Sequence, residues 1–175
     1  MPLLHTPRLT CSPLQDEDWP FFLSLQQHPD VMRYVAEARP EAAIREAFTA
    51  RLPAWTPGSD HWLCLVVRDT TSQMPLGVTG YIHHDDDCAE VGFLFAPQAQ
   101  GKGYGYESLQ AVCDYAFGQG GIRRLTATVT AGNVASKRLL EKVGFVLEGE
   151  LRESYWLAGQ WHNDWLFGLL KKEYP

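Results

Sequence analysis

The sequence predicts one α/β domain of the α+β kind, with a central mixed and mostly antiparallel sheet and helices on both faces. Strand-like segments are grouped before residue 96, which is typical of an antiparallel meander. A strand, a helix and a further strand follow between Phe93 and Val129, and such a unit joins parallel neighbours. The 175 residues are 45% apolar and 21% charged, an ordinary balance, so we expect residues 1–175 to form a single domain.

The N-terminal half predicts elements in the order β-α-α-β-β-β. Arg8–Leu14 predicts a strand, and the acidic residues Asp16–Asp18 suit the start of a helix that Pro29 ends. Pro40–Arg51 predicts a second helix, with proline at an early position. The continuously apolar segment Trp62–Val67 predicts a strand covered on both faces. Two further strands are predicted at Leu76–Ile82 and Ala89–Phe95.

The C-terminal half continues as α-β-α-β-β. The helix after residue 103 has an apolar stripe, formed by Leu109, Val112, Cys113 and Ala116. The remaining elements are a strand at Leu125–Val129, a helix at Asn133–Val143 that Gly144 ends, and a hairpin of strands at Phe145–Trp156 and Trp161–Leu170. We expect the parallel pair between the fourth and fifth predicted strands, because a helix connects them.

Composition argues against several classes of partner. The formal net charge of −6 disfavours a nucleic-acid partner, which basic residues would have to bind. No apolar run is long enough to cross a bilayer, so we expect no membrane partner. The four cysteines are scattered without a Cys-x-x-Cys pair, which predicts reduced thiols and a cytoplasmic protein. The cluster His83–Cys88 contains metal-ligand types, but its spacing favours a solvated hairpin turn, and we expect no metal.

A glycine-rich turn, Gln100–Gly105, lies between a strand and a helix. The first turn of a helix has N–H groups without partners and partial positive charge, and glycines allow a bulky anion to approach. The segment therefore predicts a site for a phosphate-bearing ligand. It is neither a Walker loop nor a dinucleotide fingerprint, and a flexible turn is the alternative.

A second motif follows at Asn133–Phe145, with Asn-x-x-Ser at the start of the helix and Gly-Phe after it. Together with Gln100–Gly105, this resembles the GNAT acyl-CoA-dependent N-acetyltransferases, and in particular the RimJ/RimL-type branch that acetylates ribosomal-protein N-termini. Further similarity lies at Thr6–Leu9, Glu90–Phe93, Leu147–Gly149 and Gly159–Asp164, so it covers nearly the whole chain. The resemblance implies a GNAT fold with a sheet splayed at its parallel pair, acetyl-CoA as co-substrate and an amine acceptor. Similar proteins often pair, which leaves a homodimer open.

The resemblance also implies how acetyl-CoA is bound. Backbone groups of Phe93, Leu94 and Phe95 would hold the pantetheine arm like an added strand, and the N–H of Leu94 or Phe95 would polarise the thioester carbonyl. Asn133 would lie near the acyl-CoA while capping its helix. Lys102 would either help to neutralise the pyrophosphate of acetyl-CoA or be a solvated surface lysine. The pyrophosphate would be held by the backbone of Gln100, Gly101, Lys102, Gly103, Tyr104 and Gly105.

Ser136 is the candidate partner of the leaving thiolate. It lies on the buried stripe of its helix, where a hydroxyl needs a partner, and back-bonding within the helix is the alternative. Many GNAT enzymes use a tyrosine after this helix, but this chain has Phe145 and no tyrosine before Tyr155. That departure favours Ser136.

Two carboxylates are candidates for the general base. Glu90 shares a strand face with Gly92 and Leu94, near the expected thioester, and an exposed edge carboxylate is the alternative. Asp164 lies in the last strand, where it could equally be a structural acceptor for the hairpin.

The pKa of the acceptor amine sets how strong a base is needed. An α-amine has a pKa of about 7.7–8.0 and a lysine about 10.4, so one carboxylate suits an α-amine or a small amine better. By resemblance, a protein or peptide N-terminus ranks first. A polyamine, an amino sugar or an amino acid remains open, as do a non-catalytic acyl-CoA sensor and a nucleotide-binding module.

Overall fold

An eight-stranded sheet runs through the part of the chain that the computed structural model describes, residues 2–175. Its strands are β1 (Leu4–His5), β2 (Leu9–Pro13), β3 (Leu63–Asp69), β4 (Pro75–His83), β5 (Cys88–Phe95), β6 (Arg124–Thr130), β7 (Val146–Leu157) and β8 (Gln160–Leu170). The helices are α1 (Trp19–Gln27), α2 (Pro29–Met32), α3 (Glu41–Ala50), α4 (Tyr104–Phe117) and α5 (Val134–Val143). Short 3₁₀ turns lie at Asp16–Asp18, Pro97–Ala99 and Lys171–Glu173.

The sheet has the order β1-β2-β3-β4-β5-β6-β8-β7, and only β5 and β6 are parallel in this described part. The predicted meander is confirmed, since β1 to β5 pair antiparallel in sequence order. The prediction that the fourth and fifth strands form the parallel pair is wrong in its count. The sequence analysis missed β1, which has two residues and so no detectable alternation, and the same pair is therefore the fifth and sixth strands.

The β5–β6 ladder is unusually short. It contains three residue pairs and stops at Glu90 and Thr126, although β5 continues to Phe95 and β6 to Thr130. Beyond that point each strand remains paired on its outer side, β5 with β4 and β6 with β8. The sheet is thus splayed in its middle, as the family resemblance implied.

Helices cover both faces of the sheet, as predicted. One core includes Leu109 and Val112 of α4 and Leu140 of α5. The other includes Phe22 of α1 and Phe48 of α3. The five residues Leu63 to Val67 are all buried, which confirms that β3 is covered on both sides.

Pro29 begins a helix as well as following one. α1 ends at Gln27, and Pro29 is the first residue of the short helix α2, where its missing N–H costs nothing. The ring of His28 accepts a hydrogen bond from the Asp30 N–H at 3.2 Å and caps this turn. The sequence analysis took the proline only as a stop.

All four cysteines are unpaired in the structure. Burial raises the pKa of the Cys11 and Cys64 thiols to about 12, which keeps both protonated near neutral pH. None of the helices within residues 2–175 has the length and apolar content to cross a membrane.

Tyr81 places a polar atom in the core. Its side chain is 1% exposed and packs edge-on against Trp55 with ring centroids 5.4 Å apart. Within the described residues, its hydroxyl has no hydrogen-bond partner. A buried hydroxyl without a partner costs free energy, whereas the ring contributes to the core.

We expect Tyr81→Phe to leave the free energy of unfolding unchanged or to raise it by about 1 kcal/mol, because only an unpartnered hydroxyl is removed. Urea denaturation measures this. Gly120→Ala is the matched control: its Cβ would lie 2.6 Å from the Tyr81 hydroxyl and 2.7 Å from the Ala116 carbonyl oxygen, so it should destabilise. A clear loss of stability in Tyr81→Phe would show that the hydroxyl has a stabilising partner.

Candidate active site

A cavity of about 510 Å³ lies where β5 and β6 separate. Its wall includes residues of β5, β6, α5, β7 and β8, together with the segment between α2 and α3. Glu90, Ser136 and Asp164, the three predicted catalytic residues, all line this one cavity. Of the predicted cofactor-binding residues, Phe93, Leu94 and Asn133 line it, and the glycine-rich loop does not.

The register of β5 decides which of its backbone groups face the opening. At one end the Ala96 N–H donates to the Leu76 oxygen at 2.9 Å, and at the other the His84 N–H donates to the Cys88 oxygen at 2.7 Å. Since antiparallel ladders alternate, the even-numbered residues of β5 bond to β4. Phe93 and Phe95 therefore direct their backbone groups towards the opening.

Leu94 has a different place from the expected one. Its backbone is directed at β4, and a Cβ built on Gly77 of that strand would lie 2.4 Å from the Leu94 oxygen. Leu94 still contributes its side chain to the cavity wall. The register thus leaves Phe95, rather than Leu94, as the candidate amide donor to a carbonyl.

Gln100 has a role that sequence reasoning missed. Its side-chain Nε2 donates to the Phe95 carbonyl oxygen at 3.1 Å. That bond ties the start of the glycine-rich loop to the end of β5 and satisfies the Phe95 oxygen.

The three glycines of the loop do different things. Gly101 and Gly103 have φ of 76° and 81°, the left-handed conformation that favours glycine. Within residues 2–175, the N–H groups of Gly101, Lys102 and Gly103 have no protein acceptor. Gly105 is helical, and a Cβ built on it would lie 3.0 Å from a Leu139 methyl, so its small size serves the contact between α4 and α5.

Arg8 anchors this loop from a distant part of the chain. Its Nε lies 2.8 Å from Oε1 of Glu107, its Nη1 donates to the Lys102 oxygen at 3.0 Å, and its guanidinium lies 4.6 Å from the Tyr104 ring centroid. The Thr6 hydroxyl also donates to Glu107.

Glu107 is held in its ionised form by these donors. Burial alone would raise the pKa of Glu107, but the hydrogen bonds from Thr6 and Arg8 outweigh it and leave the pKa below its ordinary value. The anchor therefore stabilises the fold at neutral pH and is lost as pH falls through the folded-state pKa. Sequence reasoning noted Thr6–Leu9 only as part of a resemblance; the contact spans 99 residues.

Ser136 presents a free hydroxyl to the cavity. Asn133 caps α5, since its Oδ1 accepts from the Ser136 N–H at 3.3 Å. The predicted capping role of Asn133 is confirmed. No group within the described residues forms a hydrogen bond with the Ser136 hydroxyl, so the back-bonding alternative is not observed.

Glu90 lies at the point where the strands separate. It is the last residue of β5 that pairs with β6, opposite Thr126. Its Oε1 is 3.2 Å from Nε2 of His84, which follows the end of β4. Sequence reasoning assigned His84 to a solvated turn and missed this contact.

Asp164 lies on β8, opposite Thr130. Its Oδ2 accepts a hydrogen bond from the Ser154 hydroxyl at 2.8 Å. The carboxylate therefore already serves the β7–β8 hairpin while it lines the cavity.

The segment between α2 and α3 forms a wall that the sequence did not predict. Tyr34, Val35, Ala36 and Arg39 of this segment line the cavity. The Tyr155 hydroxyl donates to the Val35 oxygen at 2.6 Å, and the Ala158 N–H donates to Oε1 of Glu37 at 2.9 Å. The hairpin thus holds the segment in place.

The tryptophans divide between core, wall and surface. Trp55 is buried in the core, and Trp62 lines the cavity. Trp156 and Trp161 are exposed and contact each other, and Trp165 donates to Glu150 at 3.0 Å.

Comparisons with known proteins agree with this geometry. A family model described as an acetyltransferase (GNAT) domain matches residues 8–146. The uncharacterized N-acetyltransferase YnaD of Bacillus subtilis is 24% identical over 171 residues, 98% of each chain. The spermidine N(1)-acetyltransferase of Escherichia coli K12 is 25% identical over 163 residues, 93% of this chain and 85% of that one.

Solved structures share the fold. Spermidine N-acetyltransferase from Vibrio cholerae in complex with CoA and spermine gives a TM-score of 0.84 at 23% identity, covering 97% of this chain and 99% of that one. RimL, a ribosomal L7/L12 alpha-N-protein acetyltransferase in complex with CoA, gives 0.83 at 17% identity, covering 97% and 98%.

The site suits the co-substrate that these enzymes use. Free N–H groups in the glycine-rich loop fit a pyrophosphate, and the backbone of Phe93 and Phe95 fits an extended arm. The predicted acyl-CoA-dependent N-acetyltransferase, with acetyl-CoA as its co-substrate, is confirmed. Because the family model spans most of the sequence, this chain belongs to the GNAT family of acetyltransferases.

Proposed function

We propose that the protein transfers the acetyl group of acetyl-CoA directly to a primary amine, first of all a peptide N-terminal α-amine, without a covalent enzyme intermediate. One observation carries this proposal. A single cavity in the splayed sheet brings together the free Ser136 hydroxyl, the Glu90 carboxylate and the opening that the Phe95 backbone faces.

Different parts of the chain would bind different parts of acetyl-CoA. The N–H groups from Gly101 to Gly103 and the first turn of α4 would hold the pyrophosphate, with Lys102 adding positive charge. Phe93 and Phe95 would bind the arm through their backbones, and Asn133 would lie beside it. When bound, acetyl-CoA supplies an acetyl thioester with a good leaving group. The shape of the glycine-rich loop would depend on Gln100, Tyr104 and Gly105. Leu94 would form part of the cavity wall.

Proton movement would fall to three side chains. Removing a proton from an α-amine at neutral pH costs roughly 1 kcal/mol, which is within reach of the Glu90 carboxylate or a water that it holds. Asp164 is the second candidate for this role. Ser136 would donate a hydrogen bond or a proton to the departing sulfur, whose thiol has a pKa of about 8.5.

The acceptor and the branch belong to the proposal as well. We assign the chain to the RimJ/RimL-type branch because of the Asn-x-x-Ser helix and the final hairpin. Spermidine acetyltransferases among the relatives favour a polyamine as the second candidate acceptor.

A homodimer and a cytoplasmic location stay predictions. β7 ends the sheet, and it exposes apolar side chains that a second copy could cover: Val146, Leu147, Leu151 and Trp156. Light scattering on the purified protein would measure the oligomeric state.

Isothermal calorimetry with acetyl-CoA, and separately with CoA, tests the proposed function first. We expect micromolar binding of acetyl-CoA, followed by amine-dependent release of free thiol in a screen of peptides and polyamines. Protection from heat by ATP or NAD equal to that by acetyl-CoA would favour a nucleotide-binding module. Binding without turnover on any amine would favour a sensor.

Ser136→Ala should lower kcat about 10²-fold, the low end for a lost proton donor, because a thiolate already leaves well. The calorimetric affinity for acetyl-CoA should stay nearly unchanged. Ser24→Ala, which removes an exposed hydroxyl on α1, is the matched control. Equal losses of kcat and affinity in Ser136→Ala would reject the thiolate role.

Glu90→Gln should lower kcat/KM about 10²-fold at pH 7. The deficit should shrink above pH about 8, because an α-amine is then already neutral. pH profiles of kcat/KM measure this beside Asp164→Asn, which should show a smaller loss without that pH dependence. The reverse pattern would move the base to Asp164.

A further inference from the structure

Two arginines face the cavity on the side of α1 and α3. Arg51 is the C-cap residue of α3 and is half-buried, and Arg39 lies just before that helix. The other charged side chains of the cavity wall are Glu90 and Asp164. The wall therefore contains two carboxylates and two guanidinium groups.

Neither arginine is neutralised within residues 2–175. Arg51 donates from Nη1 to the Ala47 oxygen at 2.9 Å, and Arg39 donates from Nη2 to Oε1 of Gln26 at 2.5 Å. No carboxylate of the described chain lies within ion-pair distance of either. Both guanidinium groups are thus oriented by neutral oxygens while their charges stay uncompensated.

The environment of Arg51 adds to this. Burial is the main cause that lowers the pKa of Arg51; the Cys64 thiol opposes it, and the nearby Arg39 charge makes a smaller contribution in the same direction as burial. The like charges of the half-buried Arg51 and the exposed Arg39 repel each other, and an anion placed between them would relieve that repulsion.

These arginines are on the wrong side to bind the phosphates of acetyl-CoA. The glycine-rich loop leads into α4, which packs in the core that contains Leu109 and Val112. α1 and α3 pack in the other core, with Val78 and Leu94 on the opposite face of the sheet. Gly101 and Gly103 do not line the cavity, whereas both arginines do.

We propose that the acceptor amine carries a carboxylate, and that Arg39 and Arg51 bind it while the amine lies towards Glu90. This inference rests on the proposed transferase function and names its substrate class. The fork of N–H donors on a guanidinium group matches the two oxygens of a carboxylate, the anion that unmodified peptides and amino acids carry. The carboxylate belongs either to a free amino acid or to an acidic side chain beside a peptide N-terminus. A polyamine carries only positive charge and offers these guanidinium groups nothing to bind.

Matched acceptor pairs test the proposal and separate its two sources. The peptide pair is the tripeptide amides Ser-Asp-Ala and Ser-Asn-Ala, and the free pair is serine and serinamide, with spermidine as the third arm. In at least one pair we expect the carboxylate member to have kcat/KM about 10-fold higher, mostly through KM, which corresponds to about 1.4 kcal/mol. The pair that shows the preference identifies the source.

Variants then assign the preference to the arginines. Arg51→Gln and Arg39→Gln should each reduce it, and the double variant should abolish it, with acetyl-CoA affinity unchanged by calorimetry. Arg51→Lys should keep part of it because the charge remains. Arg45→Gln is the matched control, since Arg45 lies on α3 but stacks on Trp19 and Phe48 outside the cavity.

The outcomes separate this inference from the proposed function. Equal or better turnover of spermidine or the carboxamides, or a preference that survives in the double arginine variant, overturns the carboxylate inference alone. Failure of acetyl-CoA to bind overturns the transferase proposal. In that case the arginine site is still tested by measuring the melting temperature of the protein with and without the Ser-Asp-Ala amide. A rise in melting temperature that the double variant loses supports the arginine site, and the absence of a rise rejects it.

Discussion

The hydrogen bonds between β5 and β6 end at Glu90 and Thr126, and the rest of the site depends on that interruption. Two neighbouring strands can separate at low cost only if each keeps another partner, and here β4 pairs with β5 and β8 pairs with β6. The separation leaves one strand edge inside the sheet with its polar groups available. It also opens a passage between the two faces, so that groups from both cores line one cavity.

Long-range contacts hold the parts around that opening. Arg8 fixes the glycine-rich loop on one face, and Tyr155 fixes the segment between α2 and α3 over the cavity on the other. Neither contact touches the reacting groups. One face thus has backbone donors suited to phosphate, and the other has the charged side chains that we propose discriminate among acceptors. Acceptor preference can thus change on one face without disturbing binding on the other.

The helices and strands were predicted well because most of them show a regular hydrophobic periodicity. All seven predicted strands are present with ends within two residues, whereas β1 was missed because two residues cannot alternate. The cavity residues Glu90 and Ser136 were found from motif and face. The choice between Leu94 and Phe95 could not be made, because the direction of a backbone N–H within the sheet depends on the register that the turn before β5 sets.

Contacts that join remote parts of the chain were beyond sequence reasoning. No local sequence pattern distinguishes the Arg8–Glu107 pair from solvated charges. The same holds for His84 and Glu90, which meet across a turn. Gly105 was assigned to phosphate binding because glycine fits that role, but a Cβ built on it would meet Leu139 of the next helix. Arg39 and Arg51 have no distinctive spacing in the sequence, and only the structure shows that they line the same cavity.

The unpaired backbone edge of β5 is the kind of feature that can lead to aggregation. An unpaired strand edge is a template on which any extended chain can add, and proteins usually shield such edges to avoid aggregation. Here the edge lies in the interior of the sheet and faces a cavity whose wall includes the segment between α2 and α3. The same feature that accepts an extended ligand is therefore protected from the edge-to-edge pairing that an outer strand would allow.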